Sequence, residues 1–290
     1  MTRILHALSD ISADYDALFC DLWGCVHNGI TAFPAAVAAL QAFRAKGGTV
    51  ILLTNAPRQR AMIEPQITRM GTPRDAWDAI ATSGDSARLA MFSGAVGDKV
   101  FFIGQPHDDV FFDPIRILDD PVAITRVPLE QATGIVCCGP EDPFADPEVM
   151  RPQFLYAREK GLKLLCANPD IVVDRGDTRE WCAGALAALY TEMGGESLYF
   201  GKPHPPVYDL ARRRIAELGR DIPDSRILCI GDGIHTDIRG AQGEDLDSLF
   251  ISGGLAAAAT KTADHPDPEA LKLYLDGEQQ EPTFTMGFLR

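Results

Sequence analysis

Ala17-Leu18-Phe19-Cys20-Asp21-Leu22-Trp23-Gly24-Cys25-Val26-His27-Asn28-Gly29 is an apolar run that ends abruptly in a carboxylate and a glycine-punctuated loop. A short apolar run bounded by turn residues is the pattern of a strand buried on both faces. It predicts a strand that delivers Asp21 to its carboxyl end. In open parallel sheets ligands bind at that edge, and a lone Asp there is a metal ligand, a nucleophile or a cap for the next turn. Later stretches repeat the junction. Thr49-Val50-Ile51-Leu52-Leu53 runs into Thr54-Asn55, and Leu198-Tyr199-Phe200 leads into Gly201-Lys202-Pro203. Arg226-Ile227-Leu228-Cys229-Ile230 enters Gly231-Asp232-Gly233, with Asp237 following in the same loop, and Ser248 to Ile251 ends in Ser252-Gly253-Gly254. Thr54, Lys202, Asp232 and Asp237 are therefore expected on the same edge as Asp21.

The segments between these strands carry helical spacing. Ala36, Leu40 and Phe43 share one face of a helix over Pro34 to Arg44, which Gly47-Gly48 stops. A second helix is expected from Pro57, with Ile63, Ile67 and Met70 on one face and Pro65 as a kink. Ala79 to Ser83 reads as a strand, and Asp85 as the cap of a short helix ending at Phe92. Beyond Gly94, Lys99 to Ile103, Gly134 to Cys138 and Leu162 to Ala167 read as strands of a separate sheet, with helices near Pro147 to Lys160 and Glu180 to Met193. Asp108 to Glu130 shows no usable period. The short strand at Leu198 is expected to return the chain to the first sheet. These elements predict an α/β protein with a parallel sheet covered by helices, in three segments: 1–94 and 197–290 as one core, and 95–196 inserted as a second α/β domain.

With 290 residues, 46% hydrophobic and 23% charged, the chain is long enough for two domains. A net charge of -14 argues against a nucleic-acid or anionic-membrane partner, because a phosphate surface would meet net repulsion. No apolar stretch approaches the length of a membrane span and the N-terminal residues lack a signal-peptide core, so a cytoplasmic location is expected. The seven cysteines form no C-x-x-C pair and read as reduced, buried residues. Cys25 differs in standing in the loop after Asp21; a core role is expected for it too.

The four stretches that carry Asp21, Thr54, Lys202 and the Asp232/Asp237 pair, in this order, resemble the motifs of the haloacid dehalogenase-like (HAD) hydrolase superfamily. The long insert between the second and third is similar to the α/β cap of its NagD-like branch. The resemblance implies a Rossmann-like core, a Mg2+ cofactor, a small phosphorylated metabolite as partner, and self-association through the cap. It also implies that Asp21 attacks phosphorus to give an aspartyl-phosphate, with Lys202 as the second catalytic residue. Thr54 and Asn55 would bind the phosphate. Asn168 and Asp170, from a run similar to the Asn-Pro-Asp of the NagD-like branch, would meet the substrate, with Arg175 and Arg179 framing its entrance. The metal would be held by Asp21, the Trp23 carbonyl and Asp232, with Asp237 orienting a metal water or bracing the lysine. Magnesium demands six oxygens, so paired carboxylates of this kind suit it.

One residue departs from the pattern. Phosphatases of the superfamily carry Asp-x-Asp-Gly, in which the second Asp protonates the leaving oxygen and then activates water, whereas this chain has Asp21-Leu22-Trp23-Gly24. Indole is donor-only and does not titrate usefully, so a general acid–base contribution of typically 10²- to 10⁴-fold must come from elsewhere or be missing. His27 and His235 are the nearby candidates. The expected reaction is phosphomonoester hydrolysis. Its alternatives are a ligand-binding protein that has lost turnover, and a metal-independent dehalogenase, whose family also bears an aromatic at this position. The carboxylate of Asp232 argues against the last, since a metal-free anion site would not keep it beside the nucleophile.

Overall fold

The computed structural model describes residues 2–115, 118–175 and 178–290, and the side chains of residues 174 and 175 lie outside that description. Along the chain, β1 (Arg3–Ile4), β2 (Ala17–Cys20), α1 (Pro34–Ala45), β3 (Thr49–Thr54), α2 (Arg60–Arg69), β4 (Ala79–Thr82) and α3 (Ser83–Phe92) come first. They are followed by β5 (Lys99–Ile103), β6 (Thr125–Arg126), β7 (Gly134–Cys137), α4 (Arg151–Glu159), β8 (Lys163–Cys166), β9 (Val172–Arg175), β10 (Thr178–Trp181), α5 (Ala183–Glu192) and β11 (Glu196–Tyr199). The remainder is α6 (Pro205–Glu217), β12 (Ile227–Gly231), α7 (Arg239–Gly243), β13 (Asp247–Ile251), α8 (Pro268–Glu278) and β14 (Phe284–Met286).

Contacts divide the chain into two units. One comprises Met1–Thr54, Ala61–Ala81 and Lys202–Arg290; the other comprises Asn55–Arg60 and Thr82–Gly201. The first holds a seven-stranded sheet of order β1-β14-β13-β12-β2-β3-β4. β2 is paired in parallel with β12 on one side and β3 on the other. Its alternate residues Ala17 and Phe19 join a core with Ile51, Leu53, Tyr208 and Ile227, while Leu18 and Cys20, also fully buried, face the other side. Burying both faces explains the unbroken apolar run, since each large side chain sealed from water contributes about 1.5–3 kcal/mol. From β2 the chain moves outward through β3 to β4, and it later returns to lay β12 on the opposite flank. The sheet therefore reverses its winding between β2 and β12, and at such a switch point the loops leaving the two strands part and open a crevice.

The second unit has its own five-stranded sheet of order β11-β8-β7-β5-β6, parallel throughout, and an antiparallel hairpin of β9 and β10. Three local expectations change. β11, expected to bring the chain back to the first sheet, pairs in parallel with β8 instead. The preceding α5 packs Leu186, Ala187 and Tyr190 on the β7–β8 core, and a strand–helix–strand crossover of that length closes onto the sheet it left. Glu180 lies in β10, so α5 begins only at Ala183. Thr82, not Asp85, caps α3, its side chain accepting from the Asp85 N–H at 2.8 Å, while the Asp85 carboxylate accepts from the N–H of Arg60. No helix among the described residues is long and apolar enough to cross a membrane.

Candidate active site

The Asp21 N–H donates to the Ile230 carbonyl at 2.8 Å, which carries the β2–β12 pairing one residue past the strand and sets Asp21 beside the loop that bears Asp232. Lys202, ahead of α6, reaches both Asp21 Oδ1 at 2.5 Å and Asp237 Oδ1 at 2.6 Å, and only 3% of its side chain is exposed. Asp237 belongs to a single π-type turn, Ile234–Ile238, and its Oδ2 accepts from the N–H of Gly233 at 3.1 Å. Asp232 Oδ2 accepts from the N–H of Leu255, in the loop after β13, at 3.0 Å. Removing Lys202 from so buried a set would leave its carboxylates uncompensated and cost about 3–5 kcal/mol.

Burial pushes the Asp21 carboxyl well above the usual carboxylate range; Asp237 and Asp232 push it the same way, and Lys202 pulls against them. Burial by itself would lower Lys202, but Asp21 and Asp237 more than offset this and hold the ammonium far above its ordinary range. Asp232 is pushed up to about 7, first by burial and then by Asp237, against the stabilising Leu255 N–H. Burial comes first and charge imbalance adds to it: three ionised carboxylates facing one ammonium would leave two negative charges in a desolvated space. A divalent cation is the species that cancels them.

The residues present fit such an ion. Ligating atoms of Asp21, Cys25 and Asp232 lie within 4.8 Å of one another, and all three residues are buried. Two glycines keep the space around Asp232 open. A Cβ on Gly24, which has φ +69°, would stand 2.0 Å from Asp232 Oδ2, and a Cβ on Gly254 would meet the same atom at 2.0 Å. Gly254→Ala is accordingly expected to displace the Asp232 carboxylate and weaken divalent-metal binding by at least about tenfold, roughly the loss of one ligand. Gly243→Ala, where a Cβ meets nothing within 4 Å, serves as the control. Equal metal affinity in the two variants by calorimetry would remove Asp232 from the site.

Trp23 does not place a titratable group among the carboxylates. Its ring covers Gly29, whose added Cβ would fall 2.1 Å from Cη2, and meets His27 edge-on at 5.5 Å between centroids. His27 accepts the Gly29 N–H on Nδ1 at 3.0 Å and is pushed down to about 4 by burial, so at neutral pH it is an uncharged acceptor rather than an acid. His235 is exposed and paired with Glu278 at 2.9 Å.

Thr54 ends β3, next to β2, and is buried. Asn55, Asn168 and Asp170 are brought together on the second unit: Asn55 Nδ2 donates to Asp170 Oδ1 at 2.8 Å, and the Asp170 N–H donates to Asn168 Oδ1 at 3.1 Å. The side chain of Arg175 lies outside the described residues, and Arg179 is exposed on β10. A crevice of about 580 Å³ on the second unit, lined by Gly104, Gln105, Arg126 and Glu141 among others, contains none of the predicted site residues. Sequence reasoning missed the Leu255 N–H on Asp232 and the closeness of Cys25 to Asp21 and Asp232, while the core role it gave Cys25 agrees with that residue's burial. Only the Gly253-Gly254 pair hinted at the first, as a turn that lets backbone approach closely.

The sequence model described as haloacid dehalogenase-like hydrolase matches residues 18–113, and a second, HAD-hydrolase-like, matches residues 199–274. Among solved structures, a hydrolase of the haloacid dehalogenase-like family from Brucella suis 1330 is similar at 38% identity and TM-score 0.84, over 99% of this chain and 100% of that one. A D-glycerol 3-phosphate phosphatase of Mycobacterium tuberculosis is 25% identical over 87% of this chain and 67% of its own length. A human glycerol-3-phosphate phosphatase is 24% identical over 78% and 75% respectively.

Proposed function

The chain belongs to the haloacid dehalogenase-like hydrolase family, and on that footing we propose that it is a magnesium-dependent phosphatase of small phosphomonoesters, with glycerol 3-phosphate among the substrates to be tried first. The observation that carries this reading is the single buried ammonium of Lys202 shared by Asp21 and Asp237, with Asp232 alongside.

Asp21, Asp232 and the Trp23 carbonyl would hold the metal, which when bound supplies positive charge to the carboxylates and to the phosphate oxygens. Asp21 is the nucleophile. Lys202 fixes the rotamer of Asp21 through Oδ1 and favours its ionised form, which burial otherwise opposes. Asp237 holds Lys202 from the other side, so the ammonium is preorganised before substrate arrives. Thr54 and the backbone N–H groups after it would receive phosphate oxygens. No carboxyl follows at position 23, so this chain supplies no matching acid for the leaving oxygen from that turn. The Asn55–Asp170 pair is assigned to the substrate's organic part.

Two measurements test the proposal together. A phosphomonoester panel with magnesium should give inorganic phosphate, and calorimetry should show metal binding linked to a proton. Because Asp232 is held protonated up to about 7, the metal must displace that proton below this pH. Affinity should therefore fall by at least about tenfold per pH unit as pH drops below 7, and more steeply where Asp21, itself raised well above the usual carboxylate range, gives up a second proton. Metal and phosphate binding without phosphate release from any ester would favour the ligand-binding alternative, which Trp23 supports. Halide release from haloacids, independent of metal, would overturn the proposal.

A further inference from the structure

We infer that Cys25 is a third side-chain ligand of the metal site and gives it a preference for thiophilic divalent ions, of the zinc and cobalt type, over magnesium. The inference rests on the metal site of the proposed function. It begins with the turn after β2. The N–H groups of Val26 and His27 both donate to the Leu22 carbonyl, at 2.8 and 3.0 Å, while Gly24 takes φ +69°. This winds the chain back on itself and seats Cys25 with Asp21 and Asp232. The ligating atoms of all three lie within 4.8 Å of one another and all three residues are buried. Cys137, Cys138, Cys166 and Cys229, by contrast, belong to apolar clusters, and Cys20 Sγ donates to the Asp21 carbonyl.

The spacing suits one ion. With zinc–sulfur bonds of about 2.3 Å and zinc–oxygen bonds of about 2.1 Å, donors sharing a tetrahedral zinc stand about 3.6 Å apart. The separations in the structure are at most 4.8 Å, within about 1.2 Å of that value. Magnesium gains nothing from sulfur, since it takes oxygen ligands in octahedral geometry. Zinc and cobalt bind thiolate strongly, and coordination removes the thiol proton, which leaves to solvent as the metal–sulfur bond forms. Two carboxylates and one thiolate then meet a dication in a space from which water is largely excluded. The magnesium site and the zinc site are the same space, so the two ions exclude each other.

The test uses cobalt as a spectroscopic stand-in on the full chain. Wild type titrated with Co2+ should develop a near-ultraviolet thiolate-to-cobalt charge-transfer band that Cys25→Ser lacks. In competition calorimetry the ratio of zinc to magnesium affinity should fall at least about tenfold in Cys25→Ser, the value of one lost strong ligand. Cys25→Ala gives a second reading should serine distort the turn, and the wild-type band is informative without any variant. Cobalt binding with no charge-transfer band in wild type would overturn the thiol ligand and leave the proposed function standing. A band that survives in both variants would also overturn it. Failure of every divalent ion to bind would overturn the metal site itself and this inference with it.

Discussion

Asp21→Asn is expected to lower phosphate release by about a thousandfold or more, with the fold retained. The amide is nearly isosteric but has no anionic oxygen with which to attack phosphorus, and losing a nucleophile that acts with its neighbours as a unit abolishes most of the rate. The fold should survive because Lys202 keeps Asp237 as a partner at 2.6 Å. Burial already opposes the charge of Asp21, with Asp237 and Asp232 adding to the strain. Taking one carboxylate out of a set of three is therefore expected to leave the melting temperature of the metal-free protein unchanged or higher. The measurement is turnover of p-nitrophenyl phosphate with saturating magnesium, set beside thermal melts and mass spectrometry for a phosphorylated Asp21 peptide in wild type. Turnover within about tenfold of wild type in a folded variant would show that another group attacks.

Trp23→Asp is expected to act in the opposite direction, and selectively. Attack on an aryl phosphate expels a phenolate that needs little protonation, whereas an alkyl phosphate expels an alkoxide that needs much. His27 is neutral at physiological pH, with its burial pushing it down to about 4, and His235 is paired with Glu278 on the surface. Wild type should therefore favour aryl esters. Installing a carboxyl at position 23 should raise alkyl phosphate turnover by about 10²- to 10⁴-fold, the usual value of a positioned acid, and leave aryl turnover nearly unchanged. The change removes a half-buried ring that covers Gly29 and meets His27 edge-on, and the lost packing is expected to cost about 1–3 kcal/mol if the loop does not collapse. Trp23→Phe separates the two effects, since it keeps an aromatic and adds no acid. Equal wild-type turnover of alkyl and aryl esters would mean that an acid exists elsewhere.

The carboxylate junctions were legible because their physics is local. A strand buried on both faces must be apolar without alternation, so β2, β3, β12 and β13 announce themselves, and the first polar residue past each end falls at the ligand edge. The partner of each strand was less legible. Leu198 and Tyr199 read as well for either sheet, and only the packing of α5 on the β7–β8 core sends β11 to β8. The hairpin of β9 and β10 escaped notice because Glu180 and Trp181 were absorbed into a helical run. β1 and β14, two and three residues long, are too short for any period to show. At the site, residue types revealed Asp21, Lys202, Asp232 and Asp237. The company of Cys25 required the turn at Gly24, which spacing along the chain does not encode.

The parallel pairing of β1 with β14, Arg3 opposite Phe284 and Ile4 opposite Thr285, has a consequence for synthesis. Translation delivers residues in order, and units fold as their last strand emerges. When a growing chain has exposed residue 201, all five strands of the second sheet exist, but only β1 to β4 of the seven-stranded sheet do. β2 at that moment lacks β12, the neighbour that brings Asp232, and β1 has no partner at all. The inserted unit is thus the first that can be complete on the ribosome, and the carboxylate cluster among the last features to assemble. A nascent chain carries Asp21 long before it gains the β12 surroundings that strain its charge.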